Sequence, residues 1–527
     1  MPDRTHPFLI LQSIGKTFAS GVTALDKVNL TVNDGDFMSL LGPSGCGKST
    51  ALRIIAGLSA PTQGVVDWRG PPLDQNDIGF VFQEPTLLPW ASVYDNVWLP
   101  LRLRGMSRNE AEPQIKEVLE RVHLTGFENA VPRELSGGMK MRVSIARGLV
   151  TKPRILLMDE PFAALDEITR FKLNNDLLEL WQERRFTVIF VTHSVFEIRA
   201  GCLKNSLSRR LTRAMRSSEP PRTMPNCAAM HPTPCRAPWA RRLPMPSIEN
   251  AAVVIDADEA RRERNRRMER TGRWLLPLII MAAAVYFWDR ICVWNEIPQY
   301  ILPRPGVVLN TLIEDAGLLF SSLLVTLRIT VLSLALAVFG GVGLSVLFTQ
   351  SRWIEMSLFP FAIVLQVTPI VAIFPLINIY IDDQTTKLLL CAWIVAFFPI
   401  LSNTTLGLNS VDRNLIDYFK LNGATRWQTL WHLRLPAAMP YFLGGLKIAG
   451  GLALIGAVVA EFVAGTAGQS SGLASRIIEA GYRLNAPRLF AALILISLTG
   501  IVIFLTLSWI SHLVLHRWHE SALKQEQ

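Results

Sequence analysis

Charge is scarce in this chain. Only 18% of its 527 residues are Asp, Glu, Lys or Arg, 50% are hydrophobic, and the mean hydropathy is +0.28. So little charge excludes a disordered polypeptide and argues against an ordinary soluble enzyme over the whole length. Cysteine is scarcer still: six thiols with no Cys-x-x-Cys pair exclude a disulfide scaffold and a zinc ribbon. The opening residues, MPDRTHPFLILQS, lack the apolar core of a secretory signal, so the N-terminus is expected to fold in the cytoplasm. A general basic surface is also missing. The formal net charge is +10, but residues 198–245 alone hold nine Arg and one Lys against Glu219, a local balance of +9. The excess therefore marks one segment, and no nucleic-acid partner is expected.

What is present falls into three parts. Residues 1–197 read as an α/β domain. The runs FMSLLG (37–42), ILLMDE (155–160) and TVIFVTH (187–193) are short, apolar and end in Gly or polar groups, as buried parallel strands do. Helical stretches such as 108–124 lie between them, which predicts a sheet with helices packed on it. Residues 198–272 carry no apolar period and cannot bury enough surface to offset their ordering entropy, so they read as a disordered basic linker. Residues 273–517 read as an all-α membrane domain, followed by a cytoplasmic tail, 518–527. Six spans are expected near 273–294, 318–348, 354–380, 386–403, 441–465 and 489–514. With six spans, the basic run 261–273, the loop 404–440 (Arg413, Lys420, Arg426, Arg434) and the tail (Arg517, Lys524) fall on one side, which the positive-inside rule makes cytoplasmic.

Residues 42–50, GPSGCGKST, fit G-x-x-x-x-G-K-[ST]. Glycines let the backbone of Gly42, Pro43, Ser44, Gly45, Cys46 and Gly47 wrap round phosphates with its N–H groups inward, and the helix opening at Lys48 adds its positive end. Lys48 is then placed for the β- and γ-phosphates, and the hydroxyl of Ser49, beside Thr50, for Mg²⁺. A strand before the motif and a helix after it are the required context. Asp159 and Glu160 end a second apolar strand, one able to hold Mg²⁺ and the next to act as general base.

Residues 135–139, LSGGM, complete a set that resembles the ATPases of ABC transporters, almost continuously over 9–197. The resemblance implies ATP and Mg²⁺ as ligands. It implies that Phe18 stacks on adenine, and that Gln83 in FVFQE contacts Mg²⁺ and water and senses the membrane domain. It further implies that Asp166 belongs to the D-loop and that His193 contacts the γ-phosphate. It also implies that Ser136, Gly137 and Gly138 close over the ATP of a second copy, so that two nucleotides are buried between two subunits.

The loop 411–436 resembles the cytoplasmic EAA loop of ABC importer permeases, with Gly423 and Pro436 in place but Asp417, Tyr418 and Phe419 where EAA stands. The resemblance implies short helices docked on the ATPase, with Phe419, Leu421 and Trp427 as apolar contacts; an amphipathic helix lying on lipid is the competing reading. ILPRPGVVL (301–309), QVTPIVAIFPLI (366–377), AFFPILSNT (396–404) and GLALIGAVVAEFVAG (451–465) make the permease similar to the nitrate/taurine/sulfonate group of importers. The fold expected is thus an α/β P-loop ATPase of ABC type, truncated at its C-terminal end, followed by a six-span type I importer permease. The partners implied are a homodimer or separate ABC subunits, an extracytoplasmic solute-binding protein and the lipid bilayer. The location implied is the bacterial inner membrane, multi-pass, with the ATPase and both termini cytoplasmic. Two intramembrane charges stay open: Arg328 faces a pathway or snorkels to an interface, and Glu461 is structural rather than a solute contact. Residues 198–245 read either as the out-of-frame end of an ATPase gene fused to its neighbour or as a genuine linker. The rival functions are a soluble ABC-type ATPase, an exporter and a transport-incompetent fusion.

Overall fold

The computed structural model describes residues 7–43, 45–69, 77–163, 167–184, 186–192, 268, 272, 275–465 and 471–516. The expected linker, apart from two isolated positions, and Ser44, Asp166 and His193 lie outside the described residues. The chain divides into two compact units, one of 1–219, 330–456 and 502–527 and a second of 220–329 and 457–501.

The N-terminal part of the first unit has two sheets. β1 (Pro7–Thr17), β2 (Thr23–Asn33) and β4 (Gln63–Trp68) form an antiparallel sheet in the order β2-β1-β4. β3 (Phe37–Leu41), β5 (Ile78–Val81), β6 (Ile155–Asp159) and β7 (Thr187–Thr192) form a parallel sheet in the order β3-β7-β6-β5. Every residue of β6 and β7 is buried, because helices cover both faces and leave no polar side to alternate with. Around them lie α1 (Lys48–Ile55), α2 (Val93–Leu103), α3 (Arg108–Arg121), α4 (Gly137–Leu149) and α5 (Glu167–Arg184). α3 starts where Ser107 and Glu110 cap each other's backbone N–H, the pattern S-x-x-E predicts. The parallel registers Leu41↔Thr192, Asp159↔Val191 and Val81↔Met158 bring the ends of all four strands to one edge. In a parallel α/β sheet that edge is where ligands bind.

Beyond residue 275 the described chain is helical: α6 (Leu275–Trp294), α7 (Pro305–Glu314), α8 (Ala316–Gln350), α9 (Arg352–Val367), α10 (Ile370–Tyr380), α11 (Gln384–Asn409), α12 (Arg413–Leu421), α13 (Arg426–Ala464), α14 (Leu473–Tyr482) and α15 (Ala486–Leu515). Five of these helices, α6, α8, α11, α13 and α15, are long and apolar enough to cross a membrane. The expected span 354–380 is corrected: it is not one helix but α9 and α10, bent by 103°. The break falls at Thr368–Pro369, because the proline ring drives the residue before it out of the helical region, and Thr368 has ψ 121°. Six spans result if the bent pair counts as one. α13 starts well before the expected 441. Pro436 has no N–H for the carbonyl one turn back, and the turn before it widens so that Leu435 N–H donates to Leu430 O.

Small residues let the helices of the first unit approach. A Cβ on Gly341 would stand 2.7 Å from Ile400 Cγ2, and one on Gly456 would stand 2.9 Å from Ala392 Cα, so glycine is required where each packs on α11. In the second unit Glu461 is fully buried. Its Oε1 accepts from Thr326 Oγ1 at 2.8 Å and its Oε2 from Ala474 N–H at 3.0 Å. The carboxylate thus closes the N-terminus of α14, which supports the structural reading of this residue. Arg328 is exposed on α8.

Candidate functional site

Three segments leave the sheet edge carrying the residues singled out from sequence. After β3 the chain turns through Gly45 (φ +84°) and Gly47 (φ +93°) into α1. At Gly47 a Cβ would collide with the carbonyl of Ala24, so only glycine fits that close approach. Gly42 is less confined: a Cβ there would lie 2.8 Å from Cys46 Sγ, a side-chain atom. Lys48 is 5% exposed and its ammonium turns back into the loop, donating to Gly42 O at 2.7 Å and Pro43 O at 2.9 Å. Glu160 Oε1 stands 3.8 Å from the same nitrogen. Ser49 Oγ donates to Asp159 Oδ1 at 2.8 Å, so the hydroxyl and the carboxylate singled out for Mg²⁺ touch. Thr50 follows on α1, partly buried. Burial pushes the Asp159 carboxyl above its usual range; the Ser49 hydrogen bond opposes this and neighbouring Glu160 adds to it. Glu160 has φ +46°, a left-handed conformation rare outside glycine, and its N–H is held by Val191 O at 3.0 Å.

Gln83 lies exposed just past β5, the strand beside β6. Phe18 is 44% exposed in the turn between β1 and β2. Ser136 caps α4, its hydroxyl accepting from Met139 N–H at 3.3 Å, and Ser136 and Gly137 are exposed. Gly138 is buried against Thr169, where a Cβ would come within 2.7 Å of Cγ2.

These donors fit a magnesium ion. Among the described residues no three His, Cys, Asp or Glu side chains converge on one metal position. Mg²⁺ does not need such a cage, since it binds through one or two hard protein oxygens plus substrate phosphates, and a desolvated Asp159 against a serine hydroxyl supplies them.

The same helix reaches the membrane portion. Arg53, one turn and a half beyond Lys48 on α1, donates to Asp417 Oδ2 at 2.8 Å and to Asn414 Oδ1 at 2.7 Å, both on α12. Leu415, Tyr418, Phe419 and Leu421 of α12 are buried in one cluster with Leu52 and Ile55 of α1 and with Phe80, Phe82 and Leu88. α12 therefore packs on the ATPase, as the resemblance implied, and the competing reading of a helix lying on lipid does not account for this burial. Trp427, expected in that contact, is instead 63% exposed, and it is Gln428 that reaches α2 by donating to Leu103 O at 3.0 Å. Gly423 (φ +66°) ends α12: its N–H bonds to Lys420 O and that of Ala424 to Phe419 O, the double closure a left-handed residue allows.

Sequence reasoning missed Arg147. This α4 side chain is 1% exposed and donates to Thr86 O at 2.8 Å and Pro85 O at 3.2 Å, just past Gln83. Its guanidinium lies 4.0 Å from the ring centroid of Tyr418. Burial lowers its pKa and raises that of Tyr418. The available signal was an arginine inside the otherwise apolar run SIARGLV.

Residues 25–163 match the model of the ABC transporter family, and residues 333–519 match that of the binding-protein-dependent transport system inner membrane component. An uncharacterized ABC transporter ATP-binding protein of Methanocaldococcus jannaschii is 49% identical over 203 residues, 37% of this chain and 75% of that protein. The chain belongs to the ABC transporter family. An aliphatic sulfonates import ATP-binding protein of Bacillus subtilis is 45% identical over 177 residues, 33% of this chain and 68% of its own length. A spermidine/putrescine import ATP-binding protein of Nitrosospira multiformis is 44% identical over 191 residues, 35% of this chain; this chain spans about half of that relative, 52%. The chain is an ABC-type ATPase that binds ATP, fused to an importer permease domain in one multi-pass membrane polypeptide.

Proposed function

We propose that this chain drives import of a small solute across the cytoplasmic membrane by binding and hydrolysing ATP. The observation that carries the reading is α1. It begins at Lys48, in the phosphate loop, and a turn and a half later Arg53 grips the docked helix α12. A two-turn helix transmits displacement without bending, so movement at the phosphates becomes movement at the permease.

In this reading the backbone of Gly42, Pro43, Ser44, Gly45, Cys46 and Gly47 cradles the phosphates and Lys48 leaves its loop carbonyls for phosphate oxygens. Ser49 and Asp159, with Gln83, would hold Mg²⁺, which would neutralise phosphate charge. Glu160, fixed by Val191, accepts a proton from the attacking water. Phe18 stacks on adenine. Asp166 and His193 complete the site. Ser136, Gly137 and Gly138, at the start of α4, cover the nucleotide of a second copy. Asp417, Gly423 and Pro436 shape the coupling loop. The ATPase and both ends of the chain then lie in the cytoplasm, and an extracytoplasmic binding protein delivers the solute. A second reading, a transport-incompetent fusion, is favoured by one observation: the matches cover only 75% and 68% of the relatives' lengths, and an Arg/Pro-rich segment stands between the two matched families.

The test is phosphate release by the full chain in liposomes. Lys48→Ala is expected to lower it by about a hundredfold or more, the scale at which a preorganised charge contact acts. Unchanged release contradicts the assignment, and no release from the unaltered protein supports the incompetent fusion.

A further inference from the structure

Lys447 takes no part in the ATP site or in the docking of α12. On α13 it is the one charged residue between Arg434 and Glu461, thirteen residues from the first and fourteen from the second. At roughly 1.5 Å per residue, each lies about 20 Å away along the helix, so Lys447 stands near the middle of a ~30 Å hydrocarbon core. A four-carbon stem cannot carry the ammonium to either membrane surface over that distance. Among the described residues the ammonium makes no hydrogen bond, ion pair or ring contact, and the side chain is half-buried rather than sealed away. A lysine so placed is costly against lipid tails and belongs beside water or an anionic partner.

The glycines of α13 show which of the two it meets. Gly445 and Gly456 press onto α11, where a Cβ would stand 2.8 Å from Asn403 Cβ and 2.9 Å from Ala392 Cα, and a Cβ on Gly450 would collide with Leu507 of α15. Gly444 and Gly451 behave differently. They lie three residues before Lys447 and four after it, which makes them its neighbours on the helix surface. Both are exposed, and a Cβ on either meets nothing within 4 Å. Ile448 and Ile455 are exposed beside them. This side of α13 is therefore turned away from α11 and α15, and Lys447 stands at its rim. Import requires two copies of the permease, and a two-fold contact through this side would set one Lys447 against the other. Two like charges at that depth are tolerated only with water between them.

We propose that Lys447 lines a water-filled path through the permease at mid-membrane and holds it at a positive potential, as a barrier to the passage of inorganic cations. The proposal rests on the import reading and concerns what the path keeps out, whatever solute it carries. Low-dielectric walls focus the field of a fixed charge along the water between them, and a single cationic side chain is enough to set such a barrier in a narrow pore. Each time the path opens, ions of the medium reach it together with the solute. The ammonium turns cations back at the depth where their own hydration is hardest to keep.

The experiment sets a thiol beside the ammonium. Gly451→Cys, in the full chain freed of other cysteines, is placed in lipid nanodiscs, which leave both faces open. It is labelled with anionic 2-sulfonatoethyl methanethiosulfonate and, separately, with cationic 2-(trimethylammonium)ethyl methanethiosulfonate, with and without MgATP. Each rate is divided by that for free 2-mercaptoethanol. The expected result is reaction in at least one nucleotide state, with a corrected preference for the anionic reagent of about tenfold or more. Lys447→Arg is expected to keep that preference and Lys447→Gln to abolish it. Raising the salt from about 0.01 M to 1 M, which shortens screening from about 30 Å to 3 Å, is expected to shrink the preference while Lys447 is present. That measurement keeps the test decisive if thermal unfolding shows Lys447→Gln to be misfolded. No reaction with either reagent in either state, an unchanged preference in folded Lys447→Gln, or a preference indifferent to salt overturns the proposal. ATP hydrolysis by the unaltered chain is read separately: its absence overturns the import reading, and its presence with any of the three results overturns the role of Lys447 alone.

Discussion

Lys48 and Arg53 share α1, and everything the loop before them does depends on glycine at position 47. With φ +93° and the Ala24 carbonyl against its α-carbon, Gly47 has neither the torsional freedom nor the space for a side chain. Gly47→Ala is therefore expected to destabilise the ATPase by about 1–3 kcal/mol, combining left-handed strain with displacement of β2. Thermal unfolding of the purified chain reads this directly, and an unchanged midpoint contradicts the loop geometry. At this scale the sequence was legible, because a phosphate loop is local: the glycines, Lys48 and Ser49 lie within eight residues and their roles follow from backbone sterics. The meeting of Ser49 with Asp159 was legible too, as both were singled out for the same Mg²⁺, although β7 lies between β3 and β6.

Among the elements, α4 and α12 make the contact that sequence did not reveal. Arg147 ties the backbone past Gln83 to the ring of Tyr418, and it lies among residues separated by some of the longest stretches of the chain. No periodicity announces such a contact, since a buried arginine is identified only by the carbonyls and ring that fold around it. Arg147→Met is expected to leave the Pro85 and Thr86 carbonyls unpaired, at about 1–3 kcal/mol each. Tyr418→Leu is expected to cost about 1–2 kcal/mol through the lost cation–π contact, whereas Tyr418→Phe keeps the ring face. Denaturant unfolding of the three variants checks the order Arg147→Met, Tyr418→Leu, Tyr418→Phe from most to least destabilised; a Tyr418→Phe loss equal to Tyr418→Leu contradicts the stacking role. The bend between α9 and α10 shows a different kind of miss. Hydropathy counts apolar residues and is blind to angle, so 354–380 read as a straight span although Thr368–Pro369 carried the signal for a break.

For the whole molecule, one chain supplies one ATPase and one permease, and in the proposed reading the exposed start of α4 covers the phosphates of a second copy. Glu160→Gln, which keeps the nucleotide bound by removing the base, is expected to form a dimer of 58.8 kDa chains with MgATP in detergent. Mass photometry shows this, and a population that stays monomeric at saturating MgATP contradicts the shared site.

The coupling claim is tested most directly by exchanging the charges of Arg53 and Asp417, which meet at 2.8 Å. A fluorophore on Tyr380→Cys, in a background freed of other cysteines, reports movement of α10 without any need to know the solute. The account predicts a MgATP-dependent change in its emission that Arg53→Glu abolishes and Arg53→Glu with Asp417→Arg restores. An Arg53→Glu protein that hydrolyses ATP and moves α10 as the unaltered chain does would contradict it.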